Sequence, residues 1–271
     1  MPSKYRWTEK KIAAYYAEGR GQGRGPDYLP WLQVHDVPSN GLSRRVFSRT
    51  CQRPCHLLSD IEHDFFVWLE WNQAVVDIRE QFPLDRELTR TYAKALGFRH
   101  PREPGEEIDI VMTVDFLVDL VVDGTPVIRA FAVKEEDEIS NKRAMEKLDI
   151  AGAVLASLGI KQDLVLDTKL PKRSIHNIKS IYQSEERGTE DAEETNFLAG
   201  AKPRLLRSLV SATPKTTLGI HCENHDLANG YLPGTSIRLA KLLMIDRSIV
   251  APLRIKSMLD CPIEFLLMGA T

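Results

Sequence analysis

The chain lacks any apolar run long enough to cross a bilayer, and its opening residues M-P-S-K-Y-R-W-T-E-K hold no hydrophobic stretch of the kind a secretory signal needs. Membrane-spanning and exported classes are set aside on that ground, and a cytoplasmic protein with reduced thiols is expected. Cysteine is scarce, with four in 271 residues and no paired C-x-x-C. A zinc site from Cys51, Cys55 and His56, or from His221, Cys222 and His225, has suitable atom types but the wrong spacing. The G-R-G-Q-G-R-G segment at 19–25 lacks the G-x-G-x-x-G order and follows a predicted helix rather than a strand, which excludes a dinucleotide loop. It reads instead as a flexible hinge whose Arg20 and Arg24 touch phosphates. No internal repeat is present, and the net charge of −2 favours no class of partner until it is divided along the chain.

What is present is ordinary soluble composition, 43% hydrophobic and 27% charged, in a length that fits one large domain or two of common size. The charge is uneven. Residues 1–58 carry Arg20, Arg24, Arg44, Arg45, Arg49 and further bases against only Glu9, Glu18, Asp27 and Asp36, interleaved with aromatic residues such as Tyr28, Trp31 and Phe47. Such an arm either lies on a DNA backbone or is a solvated face, and both readings stay open. Helical patterning covers 7–18 and then 59–71. An extended A-V-V-D-I-R-E-Q-F-P runs to Pro83, a helix is indicated near 88–96, and two strands follow. Ser140 is the expected N-cap of a helix that Gly159 stops, and D-L-V-L-D at 163–167 is a further strand. The order α-β-β-β-α-β predicts an α/β domain, a mixed sheet flanked by helices. Beyond it come a connecting helix at 169–182, an acidic linker or exposed helix at 185–195, helices at 204–210 and 235–245, and the strand-like S-I-V-A-P-L and I-E-F-L-L. These predict a small, mainly helical, winged-helix-like domain. The expected division is a basic segment at 1–58 packed on the core, the core at 59–168, and the C-terminal domain and tail at 169–271.

Three polar residues of the core stand where apolar ones are expected. Residues 109–122 contain I-V-M-T-V-D-F-L-V-D-L-V-V and 125–134 read T-P-V-I-R-A-F-A-V-K, two strands about an Asp123-Gly124 turn. With that turn Val122 faces Thr125, Asp115 falls opposite Ala132, and Lys134 sits one diagonal step away on the same face. Val114, Phe116, Val118 and Leu120 point the other way as core, which leaves the Asp115 side for chemistry or solvent. Glu62 completes a capping box with Ser59. Yet Phe65, Phe66 and Leu69 follow it at helical spacing, so its face packs inward. An acid there caps the helix, or also reaches a metal. For Asp115 and Lys134 the alternative is an exposed cross-strand ion pair, worth under about 1 kcal/mol.

In wording and order, D-Y-L-P-W-L at 27–32, V-P-S-N-G at 37–41, H-L-L-S-D-I-E at 56–62, D-I-R-E-Q-F-P-L at 77–84, T-V-D-F-L-V-D at 113–119 and the F-A-V-K strand resemble the TnsA endonuclease subunit of heteromeric, Tn-seven-like transposases. The C-terminal half matches only in length and pattern, around L-P-G-T-S-I-R-L-A-K-L-L. The resemblance implies a restriction-endonuclease-like core with a winged-helix-like C-terminal domain. It also implies an enzyme that nicks the 5′ ends of a transposon, while a DDE-type partner, TnsB, processes the 3′ ends and an AAA+ ATPase, TnsC, regulates both. By motif, Glu62, Asp115 and Lys134 take the places of the family's helix glutamate, metal-binding aspartate and catalytic lysine. The implied cofactor is magnesium, with manganese able to substitute, held by Glu62, Asp115 and the main-chain carbonyl of Val133. One position departs: where the family has a glutamine or an acid two residues before the lysine, this chain has Ala132, and a methyl group binds no metal. Two other classes share these residues. A stand-alone restriction or repair nuclease would cut without partners, and a non-catalytic assembly subunit would suit Ala132. For the C-terminal part the resemblance implies contact with TnsC and DNA, for which the sequence offers Arg238, Lys241, Arg247, Arg254 and Lys256.

Overall fold

A computed structural model describes residues 6–37, 43–185 and 192–269, and the chain divides into two compact units, Met1–Leu170 and Pro171–Thr271. V-P-S-N-G beyond Val37 and most of the acidic stretch 185–195 lie outside the described residues.

The first unit opens with α1 (Glu9–Ala17), which begins at Thr8 because the Thr8 hydroxyl accepts from the Lys11 amide at 3.1 Å. Its buried Ile12 and Tyr15 pack against the fully buried Trp31, Tyr15 edge-on at 5.4 Å. The glycine segment that follows is no hinge. Gly21 N–H donates to the Leu29 carbonyl and Leu29 N–H to that of Gln22, so the loop is closed on itself. A Cβ on Gly21 would lie 2.1 Å from Pro83 Cγ, and one on Gly23 2.3 Å from the Asp27 carbonyl oxygen, at φ of 80° and 85°. Close approach demands glycine here, and it fixes the loop against the sheet.

Next come β1 (Arg44–Ser48) and β2 (Arg53–Leu57), an antiparallel hairpin that the sequence reading left inside the basic arm. Its inner face mixes Ser48 and Arg53 with Cys55 and Leu57, so no clean apolar alternation announces it. Ser48 and Arg53 are buried, and Arg53 grips Glu80 through two bonds of 2.8 and 2.6 Å.

α2 (Asp60–Trp71) leads into a four-stranded sheet ordered β3 (Val75–Pro83), β4 (Thr113–Val122), β5 (Thr125–Lys134), β6 (Lys161–Leu166). Between β3 and β4 lies α3 (Arg86–Ala95), capped by Asp85. Asp123 and Gly124 turn β4 into β5 with φ of 49° and 76°, left-handed at both positions as a type I′ turn requires. The register runs from Val122↔Thr125 to Phe116↔Phe131, as the sequence predicts. α4 (Lys142–Ser157) then crosses to β6, which pairs with β5 in parallel. Its cap is Asn141 rather than Ser140. Asn141 Oδ1 accepts from the Arg143 and Ala144 amides, whereas 136–140 form a 3-10 turn in which the Ser140 hydroxyl is spent on the Asp137 carbonyl.

Both faces of the sheet are covered. α2 sets Phe65 5.6 Å from Phe116 and 5.1 Å from Phe131. On the other face Ile150, Val154 and Leu155 of α4 pack with Leu117 and Ala130, each large side chain worth about 1.5–3 kcal/mol when buried. Leu117 shares the Asp115 face by strand alternation, so the face expected to serve chemistry or solvent is a packed layer where α4 covers it. Asp115 stands near the start of β4 and Lys134 at the end of β5, and the two meet at one edge of this layer.

The second unit is mainly helical, with α5 (Lys172–Tyr182), α6 (Ala192–Val210), α7 (Leu218–Asn229) and α8 (Thr235–Ile245). Asp226 of α7 caps α8 by accepting from the Gly234 and Ser236 amides. The strand-like stretches yield only β7 (Ile249–Val250) paired with β8 (Leu267–Met268). Pro252 has no N–H to extend the first, and Ile263–Phe265 winds into a 3-10 turn, which keeps most of I-E-F-L-L out of the ladder. Among the described residues no helix is long and apolar enough to cross a membrane.

Candidate active site

Glu62 is placed by the first turn of α2. Ser59 Oγ accepts from the Glu62 amide and donates to Oε1, both at 3.2 Å, while Oε2 accepts from the Leu58 amide at 2.9 Å. The acid does cap its helix, reaching one residue beyond Ser59 to find a donor. It is 7% exposed. Burial, and then the charge of Asp115, push its carboxyl up to about 7 against the pull of those bonds and of Lys134.

Asp115 Oδ2 accepts from the Val133 amide at 2.7 Å, so a side chain ties β4 to β5 just past their last regular pair. Burial raises the Asp115 carboxyl above the usual range, opposed by Lys134 and by that bond. Lys134 is itself raised, chiefly by Asp115. Its Nζ lies 3.9 Å from Glu138 Oε2, too far for a hydrogen bond. The fold thus brings Glu62, Asp115 and Lys134 within each other's electrostatic reach from a helix and two strands. Glu62, which is buried, and Asp115, which is half-buried on the cleft wall, share one lysine.

A cleft of about 430 Å³ opens at this edge, with Asp115, Ala132 and Lys134 on its sheet side and Ala144, Lys147 and Leu148 on α4. Glu62 is not among the residues that line it. Ala132, 5% exposed, presents its methyl group beside Asp115. The donors fit a hard divalent cation: two carboxylates short of positive charge, with Asp115 Oδ1 left over from the bond to Val133. Among the described residues no set of three or more His, Cys, Asp or Glu side chains converges, so a cation here would rest on two carboxylates, main chain and water. The same observation removes both zinc clusters. Gln81, which the sequence reading passed over among its polar neighbours in D-I-R-E-Q, also belongs to the group. It is 3% exposed, and its Nε2 lies 3.4 Å from Glu62 Oε2.

The candidate phosphate-contacting arginines separate. Arg20 is buried, donating to Glu18 at 2.8 Å and to the Trp31 carbonyl at 3.0 Å with its guanidinium 3.5 Å over the Tyr15 ring. It fastens the N-terminal segment and is no phosphate contact. Arg24 keeps 66% of its side chain exposed and meets Asp119 at 2.9 Å. Arg44 pairs with Asp60 and lies 3.3 Å from His63 Nδ1, whereas Arg45 stands exposed beside Phe47 on β1. The Arg49 amide donates to Glu70. In the second unit Arg238 donates to the Ser184 carbonyl and Lys241 to the Ser180 hydroxyl, both 3.0 Å and both within the unit.

Comparison with known proteins agrees with the resemblance. Residues 72–167 match the family described as TnsA-like endonuclease N terminal, a span that takes in Asp115, Ala132 and Lys134 but not Glu62. Over 176 residues the chain is 41% identical to the transposon Tn7 transposition protein TnsA of Escherichia coli. That alignment covers 65% of this chain and 63% of the relative, so the chain spans less than two thirds of the length of the protein it matches. The mixed sheet between helices is the restriction-endonuclease-like core that the resemblance implied.

Proposed function

We propose that this TnsA-like chain is the magnesium-dependent endodeoxyribonuclease subunit of a transposase, cutting the 5′ ends of a transposon during cut-and-paste transposition. The observation that carries the reading is that Asp115 and Lys134 line one cleft at the edge of the sheet, with Glu62 tied to the same end of the sheet through Gln81. Glu62, Asp115 and the Val133 carbonyl would hold the cation, which when bound neutralises charge on the scissile phosphate and acidifies a water. Lys134 stays protonated beside Asp115, since its pKa is raised. It therefore acts as a donor rather than a base, orienting the attacking water and stabilising charge on the phosphate. Water attacks phosphorus and the P–O3′ bond breaks, leaving a 3′ hydroxyl and a 5′ phosphate. In this reading the protein works in the cytoplasm on transposon-end DNA with the DDE transposase TnsB and the ATPase regulator TnsC, the second unit meeting TnsC.

One observation favours a second reading. Ala132 offers no donor beside Asp115, as would suit an assembly subunit that recruits DNA without cutting it. Purified protein incubated with transposon-end DNA and magnesium or manganese, with and without TnsB and TnsC, separates the two. Metal-dependent 5′ nicks that Asp115→Ala and Lys134→Ala reduce by at least about 100-fold, with DNA binding retained, support the nuclease. Full-rate nicking by those variants removes the site assignment, and no nicking under any condition favours the assembly subunit.

A further inference from the structure

We infer that Gln81 is the positioning residue that aims Glu62 at the cation, an inference that rests on the metal-dependent reading above. Three independent features of the fold carry it. The first is register. The pairs Glu80↔Phe116 and Phe82↔Val114 bracket Gln81 directly opposite Asp115, on the flank of β4 away from Ala132. Where β5 supplies only a methyl group, β3 supplies a carboxamide.

The second feature is the hydrogen bonding of that carboxamide. Its Oε1 accepts from the Thr113 hydroxyl at 3.2 Å, and its Nε2 approaches Glu62 Oε2 at 3.4 Å. When Glu62 is ionised it can only accept, and in that state the amide group faces Glu62 and the carbonyl faces Thr113. Without this tether the Glu62 side chain answers only to Ser59 and Leu58, which draw it back onto the helix end. Gln81 draws Oε2 the other way, toward the row of Asp115.

The third feature is the backbone. Gln81 is held at φ 48°, a left-handed conformation that is unfavourable for a residue with a Cβ. The surroundings enforce it, because the Gln81 carbonyl accepts from the Trp31 amide at 3.2 Å. With the side chain 3% exposed, the carboxamide has no other place to go.

Partners that orient a metal ligand from behind affect affinity by about 10–100-fold. The test is a manganese titration of the full chain without DNA, free Mn²⁺ being followed by electron paramagnetic resonance and folding by thermal melting in chelator. Glu62→Ala and Asp115→Ala should each weaken Mn²⁺ binding strongly. Gln81→Met, which keeps the volume and removes the donor, should weaken it about tenfold on the natural background and less than about twofold on the Glu62→Ala background, because the effect passes through Glu62. Unchanged binding in Gln81→Met, or an equal loss on both backgrounds, overturns the inference and leaves the metal site standing. Unchanged binding in Glu62→Ala and Asp115→Ala overturns the metal site and the inference together. Should Gln81→Met not fold, Thr113→Val, which frees the carboxamide, takes its place with an expected loss of about threefold, and no loss overturns the inference.

Discussion

Two buried charged groups lie close together in the first unit, and they are built on opposite terms. Around Arg53 every acid has a base. Glu80, fully buried, takes two bonds from Arg53 and a third from the His56 amide at 2.9 Å. Asp119 is bound by Arg79 and, from the rim, by Arg24, while Asp77 stands 3.6 Å from Arg79 and accepts from the Gly25 amide at 3.2 Å. Burial works against the Arg53 charge, yet the bonds and charge of Glu80 outweigh it and raise the guanidinium pKa. Around Glu62, two acids share one lysine and both carboxyls sit above their ordinary range. Burial does not separate the groups, since Arg53 is 6% and Glu62 7% exposed. Charge balance does: the matched group fastens the β1–β2 hairpin to the sheet, and the unmatched one has room for a cation.

The sharpest way to break that distinction is to unbalance the matched group. Arg53→Met strands Glu80 in the interior and should cost about 3–5 kcal/mol in urea unfolding with chelator present. Glu62→Gln and Asp115→Asn remove a charge that lacks a partner, so under the same conditions they should leave stability unchanged or raise it. Comparable losses in all three would mean that both groups are scaffolding.

The next effect is one of pH. The Glu62 carboxyl titrates near 7 in the folded chain against 4.5 as its ordinary value, so folding takes up a proton between the two. Its contribution to stability is fully present below 4.5 and is lost as pH rises through about 7, the sign expected for a raised carboxyl. At about 1.4 kcal/mol for each unit the loss is on the order of 3–4 kcal/mol. Unfolding measured across this window in chelator should show the decline, Glu62→Gln should flatten it, and saturating magnesium should reverse it with release of a proton. A flat profile in the natural chain would place Glu62 with the matched group.

How much of this was legible depended on range. The β4–β5 register could be read because Asp123-Gly124 prescribes the turn locally, and the resemblance pointed to Asp115 and Lys134 on it. The β1–β2 hairpin could not. Its inner face interrupts Cys55 and Leu57 with Ser48 and Arg53, and its turn uses Gln52 at φ 53° instead of a glycine. Arg20 looked like a phosphate contact because sequence shows charge and not the Glu18, Trp31 and Tyr15 that enclose it. Gln81 was missed for the same reason: its meaning lies in Glu62, nineteen positions away, and in Asp115 across the ladder. Ser140 lost the cap to its neighbour because two adjacent residues both had a capping side chain, and only the backbone decides between them.

The smallest expected effect lies at the rim of the matched group. Arg24 reaches Asp119 with most of its side chain in solvent, and Asp119 already has Arg79 from within. An exposed bond of this kind is screened by water and salt, so Arg24→Ala should cost under about 1 kcal/mol, whereas Arg79→Met leaves a buried acid and should cost several times that. Unlike Arg20 in the same glycine loop, Arg24 holds its guanidinium where a phosphate can reach it. If it trades Asp119 for DNA, Arg24→Ala should weaken binding at low salt and lower the slope of log affinity against log salt by about one ion. An unchanged slope would make Arg24 the outer member of the scaffold and nothing more.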